Sequence, residues 1–448
     1  MSLISKSSFI RGTQCPKSLW LHFNQPDERD ETSDAQQQIF DTGHSVGFLA
    51  QQLFPGGIDA SRGDHAQIAG AIAYTAELIS NGQTVIYEAA FSDGETLCYM
   101  DILVKEADGW AAYEVKASTQ VKDYQVKDVA FQYYVITRSG LPLKRVSLVH
   151  VNNQYVRRGE LDIQQLFTIE SMTDRILPMQ AAIPERLYSL VDMLNAGLMP
   201  EIPMGPQCGN PFACDFMEFC EQSCPASETE VAPQPATRNQ DALDEFLDEL
   251  EYPLYFMDFE TIRSAVPMYD ESRPYQQIPF QYSLHVRQTK DGPVEHYEFL
   301  GTPPADPRPE FIQSLLTRLG ESGSIIVWNQ AFENTRLREI SRDFPEYGAA
   351  IDDLFARVAD LMVPFRKKHL STPEMNGSYS LKAVLPALIP DLSYYSLEIQ
   401  EGGTASMTYE SLYQDEDPES VQGKRENLLE YCKMDTLSMV RLLEVLFA

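Results

Sequence analysis

From Pro225 to Thr237 the chain reads Pro-Ala-Ser-Glu-Thr-Glu-Val-Ala-Pro-Gln-Pro-Ala-Thr, and this stretch constrains the fold more than any other. It is rich in Pro, Ser, Thr and Glu and has no apolar period, so neither a helix nor a strand can carry one core through it. The 448 residues are therefore expected to form two units, 1–226 and 241–448, joined by a linker over 227–240. Each half is long enough to bury a core of its own.

In the first half, Asp101-Ile102-Leu103-Val104 and Trp110 to Lys116 read as neighbouring strands of a hairpin. Glu114 and Lys116 then share a strand face, with Asp101 one strand away. Such a trio can hold a divalent ion through Asp101 and Glu114 while Lys116 orients a water or steadies charge on phosphorus. On its own, Asp…Glu-x-Lys is a weak pattern, because charged residues on an open strand face also simply meet solvent. The surroundings add to it. A helix over 66–80 precedes a strand over 84–91 bearing Glu88, and a helix over 126–137 carries Gln132 and Tyr133 ahead of a strand over 145–151. Gln132 and Tyr133 suit either substrate contact or a half-buried amphipathic face. His44, on a helix over 39–50 among small residues, is open to a structural or a catalytic role.

The formal charge of -31 disfavours nucleic acid as a partner for the surface at large. Lys105 to Arg158, however, carries nine Lys and Arg against five Asp and Glu, so the neighbourhood of the proposed site is basic. Seven cysteines, an odd number, argue against a disulfide framework. Cys208, Cys214, Cys220 and Cys224 fall within seventeen positions, with Gly and Pro between them, which suits metal or cluster ligation. Their spacing fits neither a paired zinc ribbon nor a ferredoxin run, and a distant cysteine would complete a ligand set. Cys15-Pro16 opens a helix running to His22. With no apolar run long enough to span a bilayer and no signal-like start, a cytoplasmic protein without membrane contact is expected.

The second half begins with a helix over 241–250. Pro253 to Thr261 then reads as a central strand that aims Asp258 and Glu260 at one face, where their repulsion calls for a cation. A strand over 324–328 runs into Asn329-Gln330-Ala331-Phe332-Glu333, which starts a helix and can deliver Glu333 to the same place. Tyr431 and Asp435 lie four apart on a late amphipathic helix.

A cysteine near the N-terminus with three more after Asp…Glu-x-Lys resembles the iron-sulfur branch of RecB-type PD-(D/E)XK nucleases, the group of the CRISPR spacer-acquisition exonucleases and AddB. The resemblance implies a restriction-endonuclease-like mixed α/β domain. It also implies a [4Fe-4S] cluster on Cys15, Cys208, Cys214 and Cys220, with Cys224 in surplus. His44, Asp101, Glu114 and Lys116 would be catalytic, supported by Glu88, Gln132 and Tyr133. In the second half, the three motifs in order resemble the DnaQ-like DEDDy 3′–5′ exonucleases of the RNase H-like fold. Asp258, Glu260, Glu333 and Asp435 would hold magnesium or manganese and Tyr431 would orient water, with Glu333 standing where the family has Asp. Asp360-Leu361 and Tyr379 to Lys382 fall where that family places substrate-side loops. The joint implication is a two-site, metal-dependent nuclease acting on DNA in preference to RNA, in repair or in defence against foreign DNA. A helicase or another repair protein would suit it as a partner, though no motif identifies one. Two alternatives stay open: an RNA exonuclease with an N-terminal gripping domain, and a non-catalytic iron-sulfur interaction module.

Overall fold

Two mixed sheets organise the chain, one in each of the units Met1–Thr229 and Glu230–Ala448. The computed structural model describes residues 3–61, 68–223 and 235–447. Cys224 and the expected linker residues 227–234 lie outside the described residues.

The first sheet contains β1 (Ile4–Ser5), β2 (Ile58–Asp59), β3 (Val85–Ser92), β4 (Thr96–Glu106), β5 (Gly109–Lys116), β6 (Leu143–Val151) and β7 (Phe167–Ser171). The helices of this unit are α1 (Lys6–Gln14), α2 (Pro16–Asn24), α3 (Asp34–Ala50), α4 (Ile68–Ser80) and α5 (Asp123–Arg138). They continue with α6 (Ile163–Leu166), α7 (Thr173–Ile176), α8 (Ala182–Asn195) and α9 (Met217–Ser223). The strand order is β2-β3-β4-β5-β6-β7, with β1 beside β4. β3, β4 and β5 are antiparallel, as their short turns require, whereas β5 and β6 are parallel because α5 crosses between them.

The expected helix after Cys15 is α2, and a further helix, α1, precedes it. Ser5 caps α1 by accepting from the Ser8 N–H at 3.1 Å. Cys15 leaves the helical region at φ -152°, and Pro16 restarts the chain at the first position of α2, where it needs no N–H partner. α1 also packs on α5, with Phe9 stacked on Phe131 at 4.6 Å.

The second unit starts inside the expected linker. Thr237–Arg238 form β8, which pairs with β14 (Leu370–Ser371), and the Thr237 hydroxyl donates to the Lys368 carbonyl at 2.9 Å. Asn239 caps α10 (Gln240–Asp248). Hydrogen-bonding Thr and Asn side chains thus give residues 237–240 structure that their composition did not suggest. The main strands are β9 (Leu254–Arg263), β10 (Gln277–Arg287), β11 (Val294–Leu300), β12 (Ser324–Val327) and β13 (Val358–Asp360). Helices α11 (Arg308–Arg318), α12 (Gln330–Asp343), α13 (Gly348–Phe355) and α14 (Val363–Arg366) follow in sequence. After them come α15 (Leu381–Leu388), α16 (Gly402–Ser411) and α17 (Pro418–Phe447). The order is β11-β10-β9-β12-β13, antiparallel across β9, β10 and β11 and parallel across β9, β12 and β13.

β9 is covered on both faces. Leu254, Phe256 and Ile262 enter one core together with Leu428, Tyr431 and Met439 of α17, while Tyr255, Met257 and Phe259 enter the opposite core. Each such side chain contributes about 1.5–3 kcal/mol by leaving water. Period-two alternation places Asp258 and Glu260 on the α17 side. Both units are therefore mixed α/β, and no helix among the described residues is long and apolar enough to cross a membrane.

Candidate functional site

Three adjacent strands of the first unit bring Glu88, Asp101 and Glu114 side by side. The register pairing Tyr87 with Ile102 and Ala89 with Met100 sets Glu88 opposite Asp101. The pairing of Ile102 with Tyr113 sets Asp101 opposite Glu114. The inward alternation slips at this row: Ile86 and Leu103 face the core on one side of it, and Ala89, Phe91, Met100 and Cys98 on the other. Glu88 takes up the slip with φ 51°, a left-handed conformation that costs a non-glycine residue about 1–2 kcal/mol.

Glu114 is 1% exposed and almost fully coordinated by donors. Its Oε1 lies 2.6 Å from the Lys6 ammonium and 2.9 Å from that of Lys116, and its Oε2 accepts from Gln132 Nε2 at 2.6 Å. Lys116 is also 2.9 Å from Asp128, and Asp101 Oδ2 accepts from the Val115 N–H at 2.5 Å. Burial pushes the Glu114 carboxyl up, but Lys116, Lys6 and the Gln132 bond outweigh it and hold the group at about 2. Burial resists the charge on Lys116, yet Glu114 and Asp128 raise its pKa. For Glu88, burial and then Glu114 and Asp59 push the carboxyl to about 7. Asp101 is raised well above its ordinary value by burial, Glu114 and Glu88. Crowded carboxyls of this kind, beside a fixed ammonium, are a donor set that a divalent ion fits.

Glu88, Asp101, Glu114, Lys116 and Gln132 are thus brought together. His44 and Tyr133 make no hydrogen bond or ion pair with them among the described residues. His44 is exposed on α3 and makes no hydrogen bond or ion pair among the described residues. Tyr133 packs against the core of the unit, because its position on α5 turns it inward beside Tyr134 and Val135. Lys6 and Asp128 belong to the cluster and were not anticipated. Lys6 lies 108 residues from Glu114 with no motif around it, whereas Asp128 sits one helical turn before Gln132 and that spacing was a usable signal.

Cys15, Cys208, Cys214 and Cys220 line one cavity together with Lys17 and Ser18. Lys17 is 4% exposed, and Ser18 Oγ lies 3.5 Å from Cys214 Sγ. The distant parts of the chain are also stitched by polar contacts. Arg11 Nη2 donates to Asp215 at 2.9 Å, and the Gln14 amide donates to the Gln207 and Phe212 carbonyls at 2.8 Å each. The Met217 N–H donates to Asp30 at 2.9 Å. Four thiols converging beside a buried ammonium fit an anionic, sulfur-ligated centre.

In the second unit, Asp258 and Glu260 on β9 meet α17, whose Tyr431 and Asp435 are both buried. Glu333 sits in the first turn of α12, 2% exposed, and its Oε2 has no hydrogen-bond partner among the described residues. Burial raises Asp258 well above its ordinary value, and Asp435, Glu260 and Glu333 add to it. Burial and Asp435 do the same to Glu260. Burial raises Asp435 to about 6 against an opposing hydrogen bond from the Tyr394 hydroxyl at 2.5 Å. Burial, with Asp360 added, takes Glu333 to about 8. Lys382 Nζ donates to the Tyr431 hydroxyl at 3.3 Å. Three buried carboxyls and the half-buried Asp258, with one orphaned oxygen, make a donor set suited to hard divalent ions. All five anticipated residues gather here, and Tyr394, Lys382 and Cys432 join them. Cys432 lay inside the Tyr-x-x-x-Asp pattern but drew no notice as one thiol within a helix.

Residues 255–380 match a domain of unknown function, DUF2779. That span includes Asp258, Glu260 and Glu333 and stops short of Tyr431 and Asp435. The uncharacterized protein UU173 of Ureaplasma parvum is 30% identical over 161 residues, covering 33% of this chain and 23% of the relative. The uncharacterized MG366 homolog of Mycoplasma pneumoniae is 27% identical over 208 residues, covering 42% of this chain and 31% of the relative. The uncharacterized protein MG366 of Mycoplasma genitalium is 28% identical over 177 residues, 35% of this chain and 26% of the relative. The chain thus spans less than a third of the length of these curated relatives.

Proposed function

We propose that the chain is a metal-dependent nuclease with two separate sites, an N-terminal PD-(D/E)XK site and a C-terminal DEDDy exonuclease site. The observation that carries this reading is common to both units: carboxyls from distant sequence positions are packed side by side, half-buried or buried, and burial first, then the charge of neighbouring acids, raises their pKa values. Such an arrangement is costly unless a cation shares it. The antiparallel β3–β5 followed by a crossover to β6 suits a restriction-endonuclease-like domain. The order β11-β10-β9-β12-β13 suits an RNase H-like one.

A divalent ion in either place would supply Lewis acidity and a water more acidic than bulk water. In the first unit Asp101 and Glu114 would hold it, with Glu88 beside them. Lys116 keeps its proton between Glu114 and Asp128, so it acts as a fixed positive charge for phosphate and not as a base. Gln132 holds Glu114 in rotamer by donating to Oε2. In the second unit Asp258, Glu260, Glu333 and Asp435 would hold magnesium or manganese. Burial raises the pKa of the Tyr431 phenol, and because its oxygen accepts from Lys382, its proton is free to point at a water.

Cys15, Cys208, Cys214 and Cys220 would carry a [4Fe-4S] cluster. What supports the cluster is that all four thiols line one cavity beside the Lys17 ammonium, in a cysteine order that resembles the iron-sulfur nucleases and not a paired zinc ribbon.

End-labelled DNA and RNA, single- and double-stranded, test the reading with the parent and two variants. Lys116→Ala is expected to abolish one cleavage activity and Asp258→Asn the other, with DNA the preferred substrate. A parent chain without metal-dependent cleavage of any of these substrates overturns it.

A further inference from the structure

Cys432 lies at the centre of the second site, and the reading above leaves its thiol without a role. It is fully buried on α17, three residues before Asp435 and so on nearly the same helix face. Its Sγ lies 3.8 Å from Asp258 Oδ2. Among the described residues, Asp258, Glu260 and Cys432 are the one group of three metal-capable side chains whose ligand atoms all lie within 4.8 Å of one another. Glu260 is 8% exposed, and its carboxylate accepts no hydrogen bond and forms no ion pair among the described residues. A buried carboxyl with no hydrogen bond or ion pair among the described residues, beside a second carboxyl and a thiol, forms a donor set that a cation would complete.

We propose that Cys432 is a metal ligand, and that with Asp258 and Glu260 it forms a carboxylate–thiolate site selective for zinc over magnesium. This rests on the reading of Asp258 and Glu260 as metal ligands and adds a donor of different chemistry. Zinc bonds to sulfur near 2.3 Å and to carboxylate oxygen at about 2.0–2.2 Å, which in a tetrahedron sets the donors about 3.5 Å apart. The observed 3.8 Å needs only a small closure. As the Zn–S bond forms, the S–H bond breaks and the proton leaves to the buffer, so the step is an exchange of one cation for another and needs no oxidant. Three protein ligands leave the fourth position of the tetrahedron for water. Magnesium demands an octahedron of oxygens and gains nothing from sulfur, whereas the softer zinc does. The site therefore has two metal preferences built into one strand–helix contact: oxygens from Asp258 and Glu260 for either ion, and sulfur from Cys432 for zinc alone.

Cobalt(II) is the probe, because a thiolate ligand gives it a charge-transfer band in the near ultraviolet. Full-length parent and Cys432→Ser chains are titrated side by side, so that the cysteine cavity of the first unit contributes equally to both and cancels in the difference. The band is expected in that difference, to be displaced by zinc and not by excess magnesium, and to be missing from Asp258→Asn. By calorimetry, Cys432→Ser should weaken zinc binding at this site by at least about tenfold, while manganese binding changes by less than about threefold. Cys432→Ala, which removes the sulfur altogether at the cost of a small void, gives the same comparison if the serine variant does not fold. A Cys432→Ser chain with the parent's cobalt spectrum and zinc affinity overturns the proposal and leaves the carboxylate site standing. An Asp258→Asn chain that binds every ion as the parent does removes the site itself, and the proposal with it.

Discussion

In the first unit Glu114 accepts from two ammonium groups and an amide, whereas in the second Glu260 and one oxygen of Glu333 have no such hydrogen-bond or ion-pair partners among the described residues. The two carboxylate clusters meet the same desolvation cost by opposite means. The first brings its own positive charge, on Lys6 from the start of α1 and on Lys116 from β5. The second brings Lys382, which bonds the Tyr431 hydroxyl and favours the charged forms of Glu260 and Asp435 from a distance, without an ion pair to either among the described residues. A site neutralised from within holds its geometry by itself, while one that is not would gain stability from an added cation.

Removing the internal cation should have the largest effect. Lys116→Met strands Asp128, 7% exposed, and takes one of two ammonium groups from Glu114. Breaking a buried pair on one side costs about 3–5 kcal/mol, to be read from urea melts of the parent, Lys116→Met and Lys116→Arg. A methionine variant as stable as the parent would erase the contrast between the units.

Manganese should act the other way round. At a hundredfold excess over its dissociation constant an ion stabilises the state it binds by about 2.7 kcal/mol. Hydrogen exchange resolved along the chain should show that protection concentrated in β9, α12 and α17. Equal gains in β4 and β5 would mean that the first site depends on an ion just as much.

Glu333→Gln tests a single uncompensated acid. It keeps the shape and removes a charge, so second-site cleavage should fall by at least about tenfold, roughly 1.4 kcal/mol. Metal-free stability should hold or rise, because burial disfavours the ionised carboxylate. Glutamate reaches one methylene beyond aspartate, so manganese, more tolerant of distorted geometry, should support the parent better than magnesium. Rates on 3′-labelled strands with each metal check both points.

The smallest effect is expected from Tyr394→Phe. The Tyr394 hydroxyl bonds the ionised form of Asp435 and opposes the burial that lifts this carboxyl to about 6. Without it the folded pKa rises further, and the ionised acid is lost earlier as pH falls. The acid limb of the pH–rate profile should therefore move to higher pH by less than about one unit, about 1 kcal/mol. A shift to lower pH would mean that the phenol stabilises the protonated acid.

How much of this was legible in the sequence follows from how local each signal is. Glu114-x-Lys116, Asp258-x-Glu260 and Tyr431-x-x-x-Asp435 are set by strand and helix periods, so their shared faces could be read directly. Cys208, Cys214 and Cys220 could be read from their crowding, whereas Cys15 came only with the family resemblance. Lys6 could not, because its contact with Glu114 closes a loop of more than a hundred residues and depends on β1 docking beside β4. The left-handed Glu88 could not either, since two strands of correct pattern hide a one-residue slip in which side faces the core. His44 and Tyr133 carried no local spacing that tied them to the acids, and neither makes a hydrogen bond or ion pair with the cluster among the described residues.

α1 begins at Lys6, whose ammonium bonds Glu114, and ends against Cys15, which lines the cysteine cavity. Nine residues fix that interval at about 13 Å. One inserted residue would turn Lys6 by about 100° relative to Cys15, so that one end of the helix could be satisfied only at the other's expense. The segment is a ruler: its outward-facing letters are free to drift over evolutionary time, but its length is not.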